Sequence, residues 1–413
     1  WCCCCCCCCC CYRFCCHCCS AMAAGALSSS SSQLAAQLAR HLCRPTIPAA
    51  APGAFRGITS GRGGHGHPLV DVGGFLDREP LARRGQSLGE MRAALLKGGP
   101  GYFYAAGVED LLGETAKVYE LSQALHNLPV DVKRRFAGQG GSSMLGVVYS
   151  GSDVGEHELA YDPATKATAR AWDYSRVRFK EGEGQNVQAS AELTSLDFEH
   201  VIDGLYERQN VVASALLGAL AEALGMPAST FEAPFASGDM GTIRLIQYPG
   251  DHEVSLEDAG ADVGISPHTD FEAFTLQHQD SPGLQVLARD FERLSDTGLP
   301  WIDAPLGNKD GGEYIVMIGD VLERYTNGLV QATPHRVVRT AHSRRSIIRF
   351  NAVSPDTVIE PLEPFVTSDR PRAYTRCTMR QHMEMTMRNL ELGLGSWDAA
   401  TGTSRSARFV YEE

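Results

Sequence analysis

The sequence predicts an α+β protein in which a helical N-terminal part packs against a double-sheet β core such as a jelly roll. Up to about residue 235, apolar residues recur with the helical period of about 3.6. Beyond that point they alternate with the strand period of about two, in short segments separated by Gly, Pro and Asp. Many short strands divided by turns are typical of two packed sheets, which the preceding helices are expected to cover.

The N-terminal part is expected to begin with a strand and to continue mainly as helices. Residues 68–72 form a short apolar run closed by a Gly pair, which predicts a strand. The capping box at 87–90 predicts the start of a helix, and residues 102–104 predict a second strand. Residues 138–184 are rich in Gly, Ser and short polar residues and are expected to form irregular loops. Helices are predicted over 91–97, 111–125, 129–136 and 195–224.

The second part is expected to contain short strands and a final helix over 374–390, which would pack against the outside of the sheets. The strands are predicted over 243–248, 275–278, 284–287, 314–318, 337–340 and 346–352. We therefore divide the chain into a leader over 1–67, a mainly helical N-terminal domain over 68–235, a β core with its C-terminal helix over 236–392, and a tail over 393–413.

The composition is that of a globular protein with an acidic balance of charge. Hydrophobic residues make up 44% and charged residues 21% of the 413 residues, and the formal net charge is −12. A general nucleic-acid binder is not expected, because such a protein needs basic residues that displace counterions from phosphates. No apolar run of about eighteen residues occurs outside the cysteine tract, so a membrane span is not expected either. We expect a monomer that acts on a small molecule.

Fourteen of the sixteen cysteines lie within the first nineteen residues. A disulfide framework or a zinc site needs spacers between cysteines so that the chain can turn, and the unbroken run over 2–11 offers none. We interpret the tract as a mispredicted start, with translation expected to begin at Met22; metal chelation and lipidation are the less favoured alternatives. Only Cys43 and Cys377 lie beyond Met22, which suits a reducing compartment.

Residues 22–67 have the composition of a targeting segment. They contain no Asp or Glu, and four arginines are spread through a Ser- and Ala-rich stretch that is weakly amphipathic around 34–42. An organelle transit peptide for the chloroplast or mitochondrion is one interpretation, and a low-complexity leader of a cytoplasmic protein is the other. In both cases we expect the segment to lie outside the fold.

The most informative motif is Pro267-His268-Thr269-Asp270-Phe271, which Pro334-His335-Arg336-Val337 follows about sixty-five residues later. In an extended segment side chains alternate, so His-x-Asp places an imidazole and a carboxylate on one face. His335, from a distant strand, would complete three ligands on one side of a metal ion and leave the opposite positions open. Two histidines and one carboxylate in this arrangement are typical of non-haem Fe(II) enzymes that activate oxygen.

Residues 68–392 resemble the isopenicillin N synthase-like family of Fe(II)- and 2-oxoglutarate-dependent dioxygenases. The most specific part is the segment 268–280 with the following Gly283-Leu284-Gln285-Val286, which is similar to the family's metal strand and hairpin. The resemblance implies a double-stranded β-helix (jelly-roll) core. Further matching blocks are Tyr248-Pro249, Ile318-Gly319-Asp320, Thr326-Asn327-Gly328, His335-Arg336-Val337 and Arg344-Arg345-Ser346.

The resemblance also implies site residues and cofactors. His268, Asp270 and His335 would bind Fe(II), with 2-oxoglutarate and O2 as cosubstrates and ascorbate as a candidate reductant. The guanidinium of Arg344 would hold the distal carboxylate of 2-oxoglutarate in bidentate fashion, which a lysine would not reproduce. Ser346 would add a hydroxyl donor on the same strand face, and Tyr248 a third hydrogen bond; a tyrosine packed on the sheet is the alternative for Tyr248.

The activity that this resemblance implies is oxidative decarboxylation of 2-oxoglutarate to succinate, coupled to hydroxylation or desaturation of a small specialised or hormone-like metabolite. Two alternatives remain: an oxidase of the same family that uses no 2-oxoglutarate, and a non-catalytic relative that binds a metabolite. A zinc hydrolase is less favoured because nothing in the sequence resembles His-Glu-x-x-His.

The substrate pocket is expected at the mouth of the β core. Its candidate lining residues are large aromatic side chains and the methionines of the final helix. Aromatic and methionine side chains are also the usual material of a protein core, which is the alternative for each of them. The candidates are Phe271, Tyr149, Trp172, Tyr161 and the segment 383–387.

Overall fold

The computed structural model describes most of the chain between residues 67 and 411. The described residues belong to one compact unit, Ser60–Glu413. They are 67–77, 81–96, 98–129, 132, 155–159, 169–175, 191–235, 241–248, 250, 263–287, 301–307 and 312–411. The predicted helix over 129–136 and the leader therefore lie outside the described residues, apart from single positions.

Strands supply the framework of the molecule and helices cover one side of it. In chain order the strands are β1 (Leu69–Asp71), β2 (Tyr102–Ala106), β3 (Gly155–Leu159), β4 (Ala169–Ser175), β5 (Gly241–Tyr248), β6 (Val263–His268), β7 (Phe274–Gln279), β8 (Leu284–Leu287), β9 (Trp301–Asp303), β10 (Tyr314–Ile318), β11 (His335–Val338), β12 (Arg344–Asn351), β13 (Val358–Ile359), β14 (Cys377–Thr378), β15 (Trp397–Asp398) and β16 (Thr403–Ser404). The helices are α1 (Gly73–Leu76), α2 (Leu81–Leu95), α3 (Leu112–His126), α4 (Ala191–Ser195), α5 (Phe198–Ala223), α6 (Glu232–Phe235), α7 (Asp320–Tyr325) and α8 (Met379–Glu391).

Two sheets make up the β core. The larger sheet has eight strands in the order β1-β2-β10-β7-β12-β5-β4-β3, and the smaller has four in the order β6-β11-β8-β9. All pairs in both sheets are antiparallel except β1 with β2. The central strand β10 is buried at all five positions, which explains its continuous apolar run Tyr-Ile-Val-Met-Ile.

Two apolar clusters fill the interior, one on each face of the larger sheet. The inner cluster lies between the sheets, since it combines residues such as Ile246 and Met317 of the larger sheet with Val286 and Val337 of the smaller. The outer cluster packs the opposite face of the larger sheet against the helices, above all α5. Alternation along each strand therefore decides which side chains face the other sheet and which face the helices.

Helix α5 shows how local sequence sets an element that covers the larger sheet. Thirteen of its 26 residues are buried, along one apolar stripe. It ends in a Schellman motif: Met226 N–H donates to the Ala221 carbonyl (2.9 Å) and Gly225 N–H to the Glu222 carbonyl (3.0 Å). Gly225 has a φ of 80°, which a glycine adopts without steric cost, so the helix end predicted there is confirmed.

The structure corrects four predicted elements, and one of them is the final helix, which begins at Met379 and not at residue 374. Helix α2 begins at Leu81, so the capping box at 87–90 lies inside the helix instead of opening it. Strand β11 begins at His335 and ends at Val338, two residues earlier than predicted, because His335 pairs with both neighbouring strands. Parts of the segment 138–184, expected as loops, form β3 and β4, which extend the larger sheet beyond β5.

The domain boundary at 235/236 remains a prediction, although β1 to β4, from before it, belong to the same sheet as β5, β7, β10 and β12. Among the described residues, no single helix is long and apolar enough to cross a membrane. One bent pair, Phe198–Ala223 with Ala228–Phe235, passes on length and composition only.

Candidate metal centre

The pairing of β6 with β11 places two imidazoles next to each other. His268 is the last residue of β6 and His335 the first of β11, and the two are directly paired across the strands. Their ring centroids are 4.2 Å apart. Two residues distant in sequence therefore meet at one end of the smaller sheet because the antiparallel register fixes both.

Asp270 reaches the two imidazoles from a turn, which corrects the expectation that His-x-Asp lies on one strand face. The strand ends at His268, and Asp270 follows two residues later. The Thr275 hydroxyl donates a short hydrogen bond to Asp270 Oδ2. The other carboxylate oxygen, Oδ1, lies 3.8 Å from His268 Nε2 and 3.7 Å from His335 Nε2.

Each imidazole is oriented by a backbone carbonyl. His268 Nδ1 lies 2.8 Å from the Ser266 carbonyl oxygen, and His335 Nδ1 lies 2.9 Å from that of Thr333. A carbonyl oxygen can only accept, so the hydrogen is on Nδ1 in each neutral ring. The lone pair of each Nε2 therefore faces the common point near Asp270 Oδ1, as in a metal-binding histidine.

The electrostatics of the cluster favour a cation. Burial, together with the neighbouring His335, lowers the pKa of His268 to about 4 against the opposite effect of Asp270. His268 is therefore neutral at pH 7 and available as a ligand. One ligand atom from each of His268, Asp270 and His335 lies within 4.8 Å of the others. This donor set is that of the facial triad of non-haem Fe(II) enzymes, so the three residues could hold Fe(II).

Arg344 and Ser346 lie on β12 and present polar atoms for which the fold supplies no partner. Arg344 is fully buried; its Nη2 donates to Gln279 Oε1 (2.7 Å) and its Nε to the Ser281 carbonyl (3.1 Å). Arg344 Nη1 and Ser346 Oγ are both buried without a hydrogen-bond partner. Unpaired buried donors are rare in native proteins, and two of them at alternate positions of one strand fit the carboxylate of a ligand.

Tyr248 stands beside this pair, since it is the cross-strand partner of Arg344. The Arg344 guanidinium carbon lies 4.9 Å from the centroid of the Tyr248 ring. Burial raises the pKa of the Tyr248 hydroxyl, so at neutral pH this group is an uncharged hydrogen-bond donor. The structure thus brings together Arg344, Ser346 and Tyr248 as one polar cluster.

Gln279 also belongs to this cluster, although no sequence motif assigns it a role. Its Oε1 accepts from Arg344, while its Nε2 donates to the Ala304 carbonyl (2.9 Å). Gln279 is therefore held in place and in turn holds the guanidinium of Arg344. The available signal is the alternation of Thr275, Gln277 and Gln279 along β7: three buried polar residues on one strand face.

Two further features near the metal cluster were not predicted from any sequence motif. Arg244 and Asp173 form a buried bidentate ion pair, with two N···O distances of 2.6 Å, on the inner faces of β5 and β4. Glu272 is buried, which raises its pKa to about 8, and its Oε2 has no hydrogen-bond partner. It is therefore protonated at neutral pH.

Among the predicted substrate-pocket candidates, Trp172, Phe271 and Met383 lie in or against the outer cluster. Trp172 is buried in the outer cluster, on the opposite face of β4 from Asp173, so the structure places it away from the cavity between the sheets. Phe271 follows Asp270 and packs against the outer cluster while remaining partly exposed. Met383 is buried in the outer cluster. Tyr149 and Tyr161 lie outside the described residues.

Comparison with known proteins matches the part of the chain that contains the site. Residues 241–352 match the family model of the 2OG-Fe(II) oxygenase superfamily. This region runs from β5 to β12 and includes the three candidate ligands as well as Arg344 and Ser346.

Curated relatives have related descriptions. The 2-oxoglutarate-dependent dioxygenase ecdK of Aspergillus rugulosus is 28% identical over 66% of this chain and 84% of its own length. The homoarginine-6-hydroxylase 2-ODD-C23 of Glycine max is 32% identical over 42% of this chain. The chain spans half the length of this soybean protein.

Solved structures show the same fold. The dioxygenase for auxin oxidation of rice aligns with a TM-score of 0.57 at 20% identity, over 82% of this chain and 99% of that one. At this identity the likeness supports the fold alone. Together with the two facing antiparallel sheets, it confirms the α+β class with a double-stranded β-helix core.

Proposed function

We propose that the chain, whose residues 241–352 match the family model of the 2OG-Fe(II) oxygenase superfamily, oxidises a small organic metabolite with Fe(II), 2-oxoglutarate and O2. The observation that carries the proposal is the presence of two incomplete sites in the β core: a cluster of three metal ligands, and two buried donors that lack a partner. Neither a packed core nor a surface explains both.

His268, Asp270 and His335 would hold the iron. When bound, Fe(II) supplies the dioxygen chemistry that couples decarboxylation of 2-oxoglutarate to oxidation of a C–H bond. The overall balance for hydroxylation is 2-oxoglutarate, O2 and R–H giving succinate, CO2 and R–OH. The backbone carbonyls of Ser266 and Thr333 keep both imidazoles in the ligating tautomer, and this orientation does not depend on the metal.

Arg344 and Ser346 would hold the far carboxylate of 2-oxoglutarate. The Gln279 and Ser281 oxygens occupy Nη2 and Nε of Arg344 and leave Nη1 for the ligand, and Ser346 with its unpaired Oγ follows two residues later on the same strand. Tyr248, which is neutral because of its burial, can donate a third hydrogen bond. A carboxylate at this point would satisfy the unpaired donors, whose desolvation otherwise costs about 1–3 kcal/mol each.

The substrate is proposed to be a small specialised or hormone-like metabolite. Curated relatives include homoarginine-6-hydroxylases and a gibberellin 20 oxidase, so related chains act on an amino acid and on a plant hormone. The Arg244–Asp173 pair gives the inner face of β4 and β5 a polar character, which favours a substrate with at least one polar group.

The experiment that tests this function is the formation of succinate from 2-oxoglutarate by the purified protein in air with Fe(II), in the presence of pooled candidate metabolites. We expect succinate from the parent and none above background from His268→Ala. If the parent forms no more succinate than His268→Ala with every metabolite pool, the function is wrong. O2 uptake with a metabolite in the absence of 2-oxoglutarate would indicate the oxidase alternative instead.

A further inference from the structure

The C-terminal hairpin, defined as residues 396–406 with β15 and β16, lies directly on the residue between two candidate metal ligands. Thr269 separates His268 from Asp270 in sequence and is 1% exposed. Its side chain and backbone contact Ser396 and Ser404, more than 120 residues further along the chain. Both serines lie in the segment over 393–413 that the sequence predicts as a tail.

Ser396 binds both backbone groups of Thr269. The Thr269 N–H donates to Ser396 Oγ (2.9 Å), and Ser396 Oγ donates to the Thr269 carbonyl (3.0 Å). The Thr269 hydroxyl is within hydrogen-bond distance of the Ser396 carbonyl (3.1 Å) and of Ser404 Oγ (3.1 Å). Every polar atom of Thr269 is therefore held by the hairpin, at the point where the chain leaves β6 and turns to Asp270.

Asp320 connects the same hairpin to Asp270. Ser404 Oγ donates to Asp320 Oδ1 (2.6 Å), and Ser406 Oγ donates a short hydrogen bond to Oδ2. The Asp320 N–H in turn donates to the Asp270 carbonyl (2.9 Å). Asp320 is fully buried, and burying a carboxylate without hydrogen-bond partners would destabilise the fold. The hydroxyls of Ser404 and Ser406 supply these partners.

Two other contacts hold the hairpin in place. Arg324 of α7, fully buried, donates from Nη1 to the Ala407 carbonyl (2.7 Å). At the other end, the Trp397 ring meets the Trp301 ring with centroids 5.6 Å apart, and the Arg336 guanidinium lies 4.7 Å from the Trp301 ring. Arg336 follows His335, so the hairpin is linked to the segments of both histidines.

We propose that Thr269 is a positioning residue for the metal ion, and that Ser396 and Ser404 of the C-terminal hairpin fix it in place. The inference rests on the proposed metal site. Thr269 contributes no ligand atom; it fixes the turn that carries Asp270 to the two imidazoles. Interactions behind the ligands commonly change metal affinity about 10- to 100-fold.

Co(II) affinity of the metal-free protein, measured by titration with absorption spectroscopy, tests this inference. We expect Thr269→Val and Ser396→Ala to raise the Co(II) dissociation constant about tenfold or more and to alter the Co(II) visible spectrum. Thr269→Ser keeps the hydroxyl and should restore both. Thr401→Ala, in the exposed turn of the same hairpin and away from Thr269, is the matched control.

A structural role alone gives a different result. It would lower the unfolding temperature of the metal-free variants and leave the Co(II) spectrum and the dissociation constant within about twofold of the parent, which would overturn the inference. If Thr269→Val does not fold, Ser404→Ala decides by the same criterion, because it removes one of the two contacts of the Thr269 hydroxyl together with the hydrogen bond to Asp320. A parent protein that does not bind Co(II) would contradict the proposed metal site itself.

Discussion

Arg344 and Ser346 show most clearly what single residues contribute, because each buries a polar atom that no other group satisfies. Burial without a partner would destabilise the protein, yet the neighbouring atoms of Arg344 are bonded with good geometry to Gln279 and Ser281. The unpaired atoms therefore point to a ligand that completes them. Arg345, between them in sequence, pairs instead with Asp280 on the other face of the strand (3.0 Å).

Arg344→Lys is predicted to weaken 2-oxoglutarate binding at least about tenfold, because an ammonium group cannot bond Gln279 and a carboxylate in the fork geometry of a guanidinium. Metal affinity should not change. Calorimetric titration of the Co(II)-loaded protein with 2-oxoglutarate measures the effect. Arg345→Lys is the control and should bind like the parent; equal losses in both variants would contradict the assignment.

The motif spacing predicts His268, Asp270 and His335 as one cluster, and the structure brings their ligand atoms together. The role of the serines that contact this cluster could not be predicted from the sequence, for a physical reason. Ser396 and Ser404 act through single hydrogen bonds across a gap of more than 120 residues, and such contacts leave no period in the sequence. Gln279 could be predicted in part. The alternation of polar residues along β7 indicates which face of the strand it lies on, but not that its partner is Arg344.

A single strand can support the site with residues on both of its faces, and β7 is an example. Strand β7 carries Thr275 and Gln279 on its inner face and His278 on its outer face. His278 Nδ1 lies 2.9 Å from the Tyr119 hydroxyl of α3, which ties this helix to the sheet behind the metal cluster. Burial lowers the pKa of His278 to about 4, against the opposite effect of Asp280.

The contribution of His278 to the stability of the metal-free protein is predicted to fall as the pH is lowered from about 7 to about 5. The folded-state pKa of His278, about 4, lies below the unfolded value of about 6.5, so the unfolded state binds more protons in this interval. His268 acts in the same direction and Glu272, whose pKa is raised to about 8, in the opposite one, so the effect of His278 is isolated by comparing a variant with the parent. In His278→Phe the loss of unfolding free energy over this interval should be smaller, as measured by urea titration at both pH values.

Tyr119→Phe is the control for this effect. It removes the hydrogen bond but keeps the imidazole in its buried place, and burial is the larger cause of the shift. Its pH dependence should therefore match that of the parent. If His278→Phe and the parent lose the same free energy between the two pH values, His278 is not the group responsible.

Element prediction works best where one apolar pattern decides the structure. The strands β8 and β10 match the predicted ranges, because continuous apolar runs between turns leave few alternatives. It fails at α2, where the capping box at 87–90 lies inside a helix. It also fails for β3 and β4, whose polar residues gain their strand conformation by pairing with the edge at β5, a tertiary effect.

At the largest scale, the described residues form a double-sheet core whose inner face holds the site and whose outer face is covered by helices. Alternation predicts this arrangement for the second part of the chain. It does not predict that β1 to β4, from before residue 236, join the same sheet. Strands added at sheet edges follow from long-range pairing, which a local pattern does not specify.

Metal binding is predicted to stabilise the whole molecule, because the three ligands come from segments that meet only in the folded state. At a free Co(II) concentration of about 100 times the dissociation constant, unfolding should require about 2.7 kcal/mol more free energy. Denaturant titration with and without EDTA measures this difference. It should disappear in His268→Ala and persist in His200→Ala, an exposed residue of α5; no difference in the parent would contradict a built metal site.

The most direct test of the central claim is an anaerobic titration with Fe(II) and 2-oxoglutarate, followed through the weak visible charge-transfer band of the complex. We expect the band in the parent, no band in His268→Ala or Asp270→Ala, and a band that needs more 2-oxoglutarate in Arg344→Ala while iron remains bound. An unchanged band in His268→Ala would contradict the account.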